Sequence, residues 1–234
     1  NMGVCSLILF NNHSNILSEK CKKVKIMNKK YNIIYADPAW SHYNDMTVTV
    51  EQNKAKDFIS RNPYPVMSSA DIKALPIKEI ADENCILFIW TTDYHLSRCC
   101  EVIKEWGFEY KTVGFVWQKL NKQNKPVCFM GNYTLKSGVE ICLLATKGKG
   151  AAKLVKKRNV RSLVQSQREA HSKKPDEVRS RIVELCGDIP RIELFAREKH
   201  NGWDVWGNQV ISDVEINNVQ PPNDMKCGVG KNNI

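Results

Sequence analysis

A short apolar run, Asn32-Ile-Ile-Tyr-Ala36, stops at Asp37-Pro38-Ala39-Trp40. A run of this length reads as a buried parallel strand, and a proline, which has no N–H to give to a ladder, ends it. In an open α/β sheet, ligands gather at the carboxyl ends of the strands. Asp37 therefore stands where a carboxylate, a main-chain carbonyl and an indole face would meet a bound molecule. Asp-Pro is also a common turn and Trp a common core residue, so the four residues alone leave a plain structural turn open. Metal chemistry has little support: the five histidines (13, 42, 95, 171 and 200) lack ligand spacing, and the nine cysteines contain no Cys-x-x-Cys pair. The sequence predicts no metal, and reduced thiols that pack as small hydrophobes.

The elements that would position Asp37 alternate between strand and helix, which predicts an α/β domain with a mostly parallel sheet. After the first strand, Ser68, Ser69 and Asp71 open a helix reaching about Ala81, kinked or split at Pro76. Residues 85–90 form the second strand. Residues 96–106 are helical, with Gly107 just beyond the end. Strands follow at 112–117 and 140–146. Pro175 starts another helix, striped by Val178, Ile182 and Leu185 and stopped by Gly187, and 191–195 is a further strand. This predicts a domain over 31–212, preceded by a weakly ordered extension over 1–30 with an alternative start at Met27. A flexible tail follows over 213–234, where loop composition sets in from Asn217.

The 234 residues carry 35 Lys+Arg against 25 Asp+Glu, a net charge of +10. Residues 117–161 hold 11 of the cations and one acid, Glu140, so the whole surplus falls there and the rest balances at 24 against 24. A basic segment on a neutral body points to a polyanionic partner; a solvated face kept for solubility is the alternative. Lys119, Lys122, Lys125, Lys153, Lys156, Lys157, Arg158 and Arg161 are the expected phosphate contacts, and 147–161 the expected mobile connection. No apolar stretch suffices to span a bilayer, and the N-terminus lacks a signal peptide's basic region, so a cytoplasmic protein without a membrane partner is expected.

Tyr35-Ala-Asp-Pro-Ala-Trp40 resembles the Asp-Pro-Pro-Trp signature of the MT-A70 family of S-adenosylmethionine-dependent adenine N6-methyltransferases. Three further stretches are similar in the same order: Gly131-Asn-Tyr133 followed by Glu140-Ile-Cys-Leu-Leu-Ala-Thr-Lys-Gly148; Glu169-Ala-His-Ser-Lys-Lys-Pro-Asp-Glu177; and Ile192-Glu-Leu-Phe-Ala-Arg197 with Trp203-Asp-Val-Trp-Gly-Asn-Gln209. The resemblance spans about 31–210 and is strongest to the compact bacterial and phage members. Two departures stand out. Ala39 replaces the second proline of the signature, and Leu135-Lys136 stands where phage-type relatives carry an arginine.

The resemblance implies a Rossmann-like methyltransferase fold in permuted order, the catalytic strand preceding the cofactor strand. It implies S-adenosylmethionine as cofactor and Asp37, Pro38 and Trp40 as catalytic residues. The exocyclic amine of adenine is a weak nucleophile because its lone pair is delocalised into the ring. The Asp37 carboxylate and the Pro38 carbonyl can accept both amine hydrogens and so aim the nitrogen, while Trp40 offers a face for stacking the base. The implied cofactor residues are Asp37, Lys174 at the methionine carboxylate, Phe195 and Arg197 along the adenosine, His200 and Asn201, and Asn208 and Gln209 at the ribose hydroxyls. The expected substrate is adenine in DNA, flipped from its helix, in a bacterial or phage-infected cytosol. The alternatives are an RNA adenosine methyltransferase, a non-catalytic nucleic-acid-binding subunit and a cytosine N4-methyltransferase.

Overall fold

Successive residues in the central strands alternate between two apolar surfaces, as a sheet covered on both faces requires. The computed structural model describes residues 29–40, 66–127, 138–169 and 173–216. Residues 1–28 of the expected extension, residues 217–234 of the expected tail, Gly131-Asn-Tyr133, Leu135-Lys136 and His171-Ser172 lie outside the described residues. Seven strands are described: β1 (Tyr31–Ala36), β2 (Ala81–Thr91), β3 (Glu109–Leu120), β4 (Val139–Lys147), β5 (Leu163–Gln167), β6 (Arg191–Leu194) and β7 (Asp204–Trp206). They form one sheet in the order β5-β3-β4-β2-β1-β6-β7. β4 runs against both its neighbours and every other pairing is parallel. The mixed α/β fold with a mostly parallel sheet is as expected.

The helices are α1 (Ser69–Ala74), α2 (Ile77–Ile80), α3 (Leu96–Glu105) and α4 (Asp176–Cys186). Ser68 caps α1, its hydroxyl accepting from the Asp71 N–H at 3.1 Å. Pro76 separates α1 from α2, so the expected helix is split rather than kinked. α3 packs Cys99, Val102 and Ile103, with Trp106 just past its end, beneath Ile34, Leu87, Ile89 and Leu143 of the sheet. It ends at Gly107, whose φ of 80° lets the Phe108 N–H close on the Ile103 carbonyl at 3.0 Å. On the opposite face, Val178, Ile182 and Cys186 of α4 meet Ile33, Phe88, Trp90 and Phe115. Residues 85–91 of β2 are buried throughout, since helices cover both sides. No described helix is long and apolar enough to cross a membrane.

Direction along the sheet decides what can reach Asp37. β1 and β6 are paired with Ala36 opposite Leu194, so Asp37 and Phe195 leave the sheet side by side at its carboxyl end. Because β4 is reversed, its first residues share that end while Lys147 lies opposite Cys85, at the amino end of β2. The segment after Lys147, expected to be a mobile connection, is instead anchored there. Ala151 is buried in a single 3-10 turn (Ala151–Leu154), Gly150 donates to Asn84 Oδ1 at 2.6 Å, and the N–H groups of Lys156 and Lys157 both reach the Leu185 carbonyl, at 2.7 and 3.1 Å. The reversal of direction begins at Gly148, with φ of 81°, where an added Cβ would lie 2.1 Å from the Glu83 carbonyl oxygen. Gly148→Ala should therefore cost more than the ~1–2 kcal/mol of the left-handed backbone alone. That lowers Tm by about 4 °C or more, read as the midpoint of a far-UV circular dichroism melt.

Candidate active site

The carboxyl end of β1 is fixed before any side chain is considered. The Asp37 N–H reaches the Leu194 carbonyl at 3.4 Å, one step beyond the last paired residues of β1 and β6. The Pro38 carbonyl accepts the Trp40 N–H at 2.9 Å, closing a tight turn. A carbonyl oxygen has two lone pairs, so Pro38 can still accept a second hydrogen. Trp40 is buried at 7 % exposure; its indole N–H donates to the Trp90 carbonyl at 3.0 Å, and His95 stacks on its ring at 5.7 Å between centroids. His95 Nδ1 lies 2.9 Å from Thr92 Oγ1. These contacts anchor the turn to the end of β2 and cover one face of the Trp40 ring.

Asp37 Oδ2 accepts from Lys174 Nζ at 2.7 Å, and the same ammonium lies 3.2 Å from Glu140 Oε2 and 5.6 Å from the Trp90 ring centre. Glu140 also pairs with Lys119, which lies over the Trp117 ring. Two carboxylates and two cations thus alternate along one half-buried row. Burial pushes the Asp37 carboxyl above its ordinary range, Lys174 opposing it and Glu140 adding to it. Burial works against Glu140 as well, but Lys174 and Lys119 outweigh it and hold that carboxyl low. Burial disfavours the Lys174 ammonium, yet Asp37 and Glu140 together raise its pKa. Among the described residues, Asp37 Oδ1 accepts no hydrogen bond and remains available to a donor.

Beyond Asp37 a cleft is lined by Lys174, Arg179, Glu193, Phe195, Arg197 and, at its mouth, Lys173 and Glu198. Phe195 has φ of 62°, a left-handed backbone that costs about 1–2 kcal/mol in a residue with a Cβ. Such outliers persist where the surroundings hold them. Here Trp206 meets the Phe195 ring edge-on at 5.4 Å, and the Ala196 N–H is held by the Trp206 carbonyl at 3.0 Å. Arg179 grips Glu193 with two bonds of 2.6 and 2.7 Å and lies over the Tyr35 ring, whose hydroxyl accepts the Trp90 indole N–H at 2.7 Å.

Four of the predicted cofactor residues (Asp37, Lys174, Phe195 and Arg197) line this cleft together. Asn208 and Gln209 follow β7 at the same end of the sheet but outside the cleft lining, whereas His200 and Asn201 lie on the loop that crosses from the end of β6 to the start of parallel β7, also outside it. Among the described residues, His200 Nε2 is buried without a hydrogen-bond partner, an atom that a polar ligand group would satisfy. The Asp37 carboxylate, the Lys174 and Arg197 cations and the Phe195 ring, four of the groups that line this cleft, suit a molecule with charged and aromatic parts, as S-adenosylmethionine has.

The basic residues separate. Lys119 is drawn inward to Glu140, with 18 % of its side chain exposed, so it serves the charge row rather than a phosphate. Lys122 and Lys125 are exposed in the turn after β3, at the carboxyl end. Arg161 is exposed before β5, near mid-sheet. Lys153, Lys156, Lys157 and Arg158 are exposed at the amino end, because reversed β4 delivers them there. These four, expected among the phosphate contacts, therefore lie away from the Asp37 cleft.

Glu140, His95, Arg179 and Glu193 are absent from the predicted site. Glu140 had a signal, being the single acid in a stretch of 11 cations, and Glu193 is an acid inside an otherwise apolar strand. Nothing in the sequence marks His95. Among the described residues no cluster of three His, Cys, Asp or Glu is placed to hold a metal ion.

A family model described as MT-A70 matches residues 31–209. The chain is 39% identical over 196 residues to the Type II methyltransferase M.MunI of Mycoplasma sp, covering 78% of each. It is 28% identical over 185 residues to an N(6)-adenosine-methyltransferase MT-A70-like protein of Drosophila melanogaster. It is 27% identical over 191 residues to the human N(6)-adenosine-methyltransferase catalytic subunit METTL3. In these two cases the match covers 77% of the chain but only 27% and 28% of the relative.

The charge row carries a pH test. Glu140, held low, contributes stability above the ordinary carboxylate range that is lost as pH falls through its own lower value; Lys174, held high, contributes below the ordinary lysine range and loses it as pH rises through its folded value. Asp37, raised, acts in the opposite sense, its ionisation costing stability as pH rises. Lys174→Met removes the shared cation, so both carboxyls move up and their ionisation becomes costly. The loss should be about 3 kcal/mol, the lower end for a broken buried pair because Asp37 keeps 24 % of its side chain exposed. Urea melts should show a larger deficit at pH 8 than at pH 5; an equal deficit would mean that the ammonium does not hold the row together.

Proposed function

The chain belongs to the MT-A70 family, and on that premise we propose that it transfers a methyl group from S-adenosylmethionine to the N6 amine of adenine in DNA at the Asp37 cleft. The observation that carries the reading is the pairing of a carboxylate and a carbonyl at one strand end. Asp37 keeps Oδ1 available while Lys174 holds Oδ2, and the Pro38 carbonyl keeps a lone pair beside it. Each can accept one hydrogen of an exocyclic amine. Holding both draws electron density back onto the nitrogen and aims its lone pair, so orientation and electrostatics supply the acceleration without a strong base. Bound S-adenosylmethionine supplies the electrophilic methyl on a sulfonium, whose positive charge the Asp37 carboxylate complements.

The remaining roles are those that the family resemblance implies. Lys174 fixes the Asp37 carboxylate and presents a cation to the methionine carboxylate, and Phe195 and Arg197 line the adenosine. His200, Asn201, Asn208 and Gln209, on the loops flanking β7, close over the ribose and the amino-acid tail. Trp40, buried and stacked on His95, keeps the turn rigid beneath the flipped base. Flipping costs a few kcal/mol, which contacts from Lys122 and Lys125, exposed after β3 at the carboxyl end of the sheet, would offset.

DNA is favoured because the relative of matching size is a Type II methyltransferase of Mycoplasma, similar along most of both chains. RNA is the second reading, since the N(6)-adenosine relatives match the same region, although the chain spans about a quarter of their length. A DNA-modifying enzyme of this kind works in the cytoplasm of a bacterium or a phage-infected cell.

Methyl-labelled cofactor with duplex DNA, single-stranded DNA or RNA, followed by nucleoside digestion, should yield N6-methyladenine from DNA. Asp37→Ala should lower the rate by about 100-fold or more, the scale for losing one preorganised electrostatic contact. Label on RNA alone would pass the case to the second reading, and no label on any substrate would refute the enzymatic one.

A further inference from the structure

Residues 147–161 contain seven cations and no acid, an arrangement of like charges that repels itself unless something answers it. Internal partners answer little of it. Lys157 reaches Glu184 at 3.3 Å with both side chains largely exposed, and among the described residues Lys156 Nζ meets only the Lys153 carbonyl. Asp188, the next acid along from the end of α4, pairs with Arg191 at 2.7 Å. Lys153, Lys156, Lys157 and Arg158 therefore project as one exposed patch. The backbone beneath is fixed by the Gly150–Asn84 and Lys156/Lys157–Leu185 hydrogen bonds and by buried Ala151, so the patch is presented without an ordering cost.

Its position is the informative part. Lys147 is level with Cys85, whereas Ala36 is level with Ile89, so Asp37 lies about five strand residues further along. At ~3.3 Å per residue that is roughly 16 Å, and the patch continues away from the cleft. A duplex engaged at Asp37 lies across the carboxyl end. With a persistence length of about 150 bp, a short duplex cannot turn back to the other end.

We propose that this patch is a second nucleic-acid contact, which grips the phosphate backbone of a DNA segment distant from the target adenine and so tethers the enzyme to long DNA. Only the identity of the polyanion rests on the DNA-methylation reading. Phosphate contacts of this kind are sequence-independent, so the tether raises local concentration without choosing the site.

The test compares the full chain with Lys153→Gln/Lys156→Gln/Lys157→Gln/Arg158→Gln on a duplex of about 20 bp and on DNA several times the ~150 bp persistence length. On the short duplex, methylation should agree within about twofold. On the long DNA, KM should rise about tenfold, and the slope of log affinity against log salt should fall by about 3 to 4, at ~0.9 per lost phosphate contact. An equal loss on the short duplex, or no loss on the long one, overturns the proposal. Lys122→Gln/Lys125→Gln, at the carboxyl end, should weaken both substrates alike. Binding to target-free long DNA without cofactor reads the patch independently of catalysis. A chain that binds there but methylates nothing fails the methylation reading alone, and one that methylates but shows no patch-dependent binding fails the tether alone. Should the fourfold variant melt early, Lys153→Gln/Arg158→Gln carries the same comparison at half the slope change.

Discussion

One ammonium, that of Lys174, holds the chemistry-bearing end of this protein together. It lies between the carboxylates of Asp37 and Glu140, which come from strands on opposite sides of β2, and it is fixed just before α4 begins. Two carboxylates so close would repel, and burying either alone would be expensive. The shared cation lets both remain, and Lys119 extends the row from the far side of Glu140. The sheet, α4 and the turn after β1 are therefore tied by charge as well as by apolar packing. The arrangement suits a group that must present an acceptor, since one Asp37 oxygen is held and the other is left to a donor.

Around that row the site is built from backbone. The ladder between β1 and β6 sets Asp37 beside Phe195, and the left-handed turn at Phe195 gives the cleft an aromatic wall. Trp206 meets that ring edge-on, while Trp40 and His95 brace the turn from the other side. Several elements end where the sequence removes a donor or supplies a permissive residue, as at Pro38, Pro76 and Gly107.

Much of this was legible from residue order. The strands β1, β2, β4 and β6 announce themselves as apolar runs, and α3 and α4 as apolar stripes closed by glycine. β5 and β7 do not: Leu-Val-Gln-Ser-Gln is half polar and Asp-Val-Trp is three residues long, and both are made strands by their neighbours. Asp37 could be found because proline ends a buried strand just beyond it. The Lys174–Glu140 pair could not, because its partners are 34 residues apart and only the antiparallel course of β4 unites them. The same reversal misled the reading of the basic stretch. Charge density along a chain says nothing about which end of a sheet it reaches, and one reversed strand carried much of it to the far side.

The hydrogen bond from the Asp37 N–H to the Leu194 carbonyl has a consequence for how this protein can change. The acceptor for the amine and the wall of the cofactor cleft are rungs of one ladder, and their alignment is a matter of counting residues. A single insertion within β1 would turn every side chain beyond it to the other face of the sheet, sending the carboxylate away from Lys174. Lengthening the loop after Phe195 leaves the count untouched. Sequence drift is thus channelled: loops are free to vary in length and retune what is bound, while the two short strands between them admit substitution but no change in number.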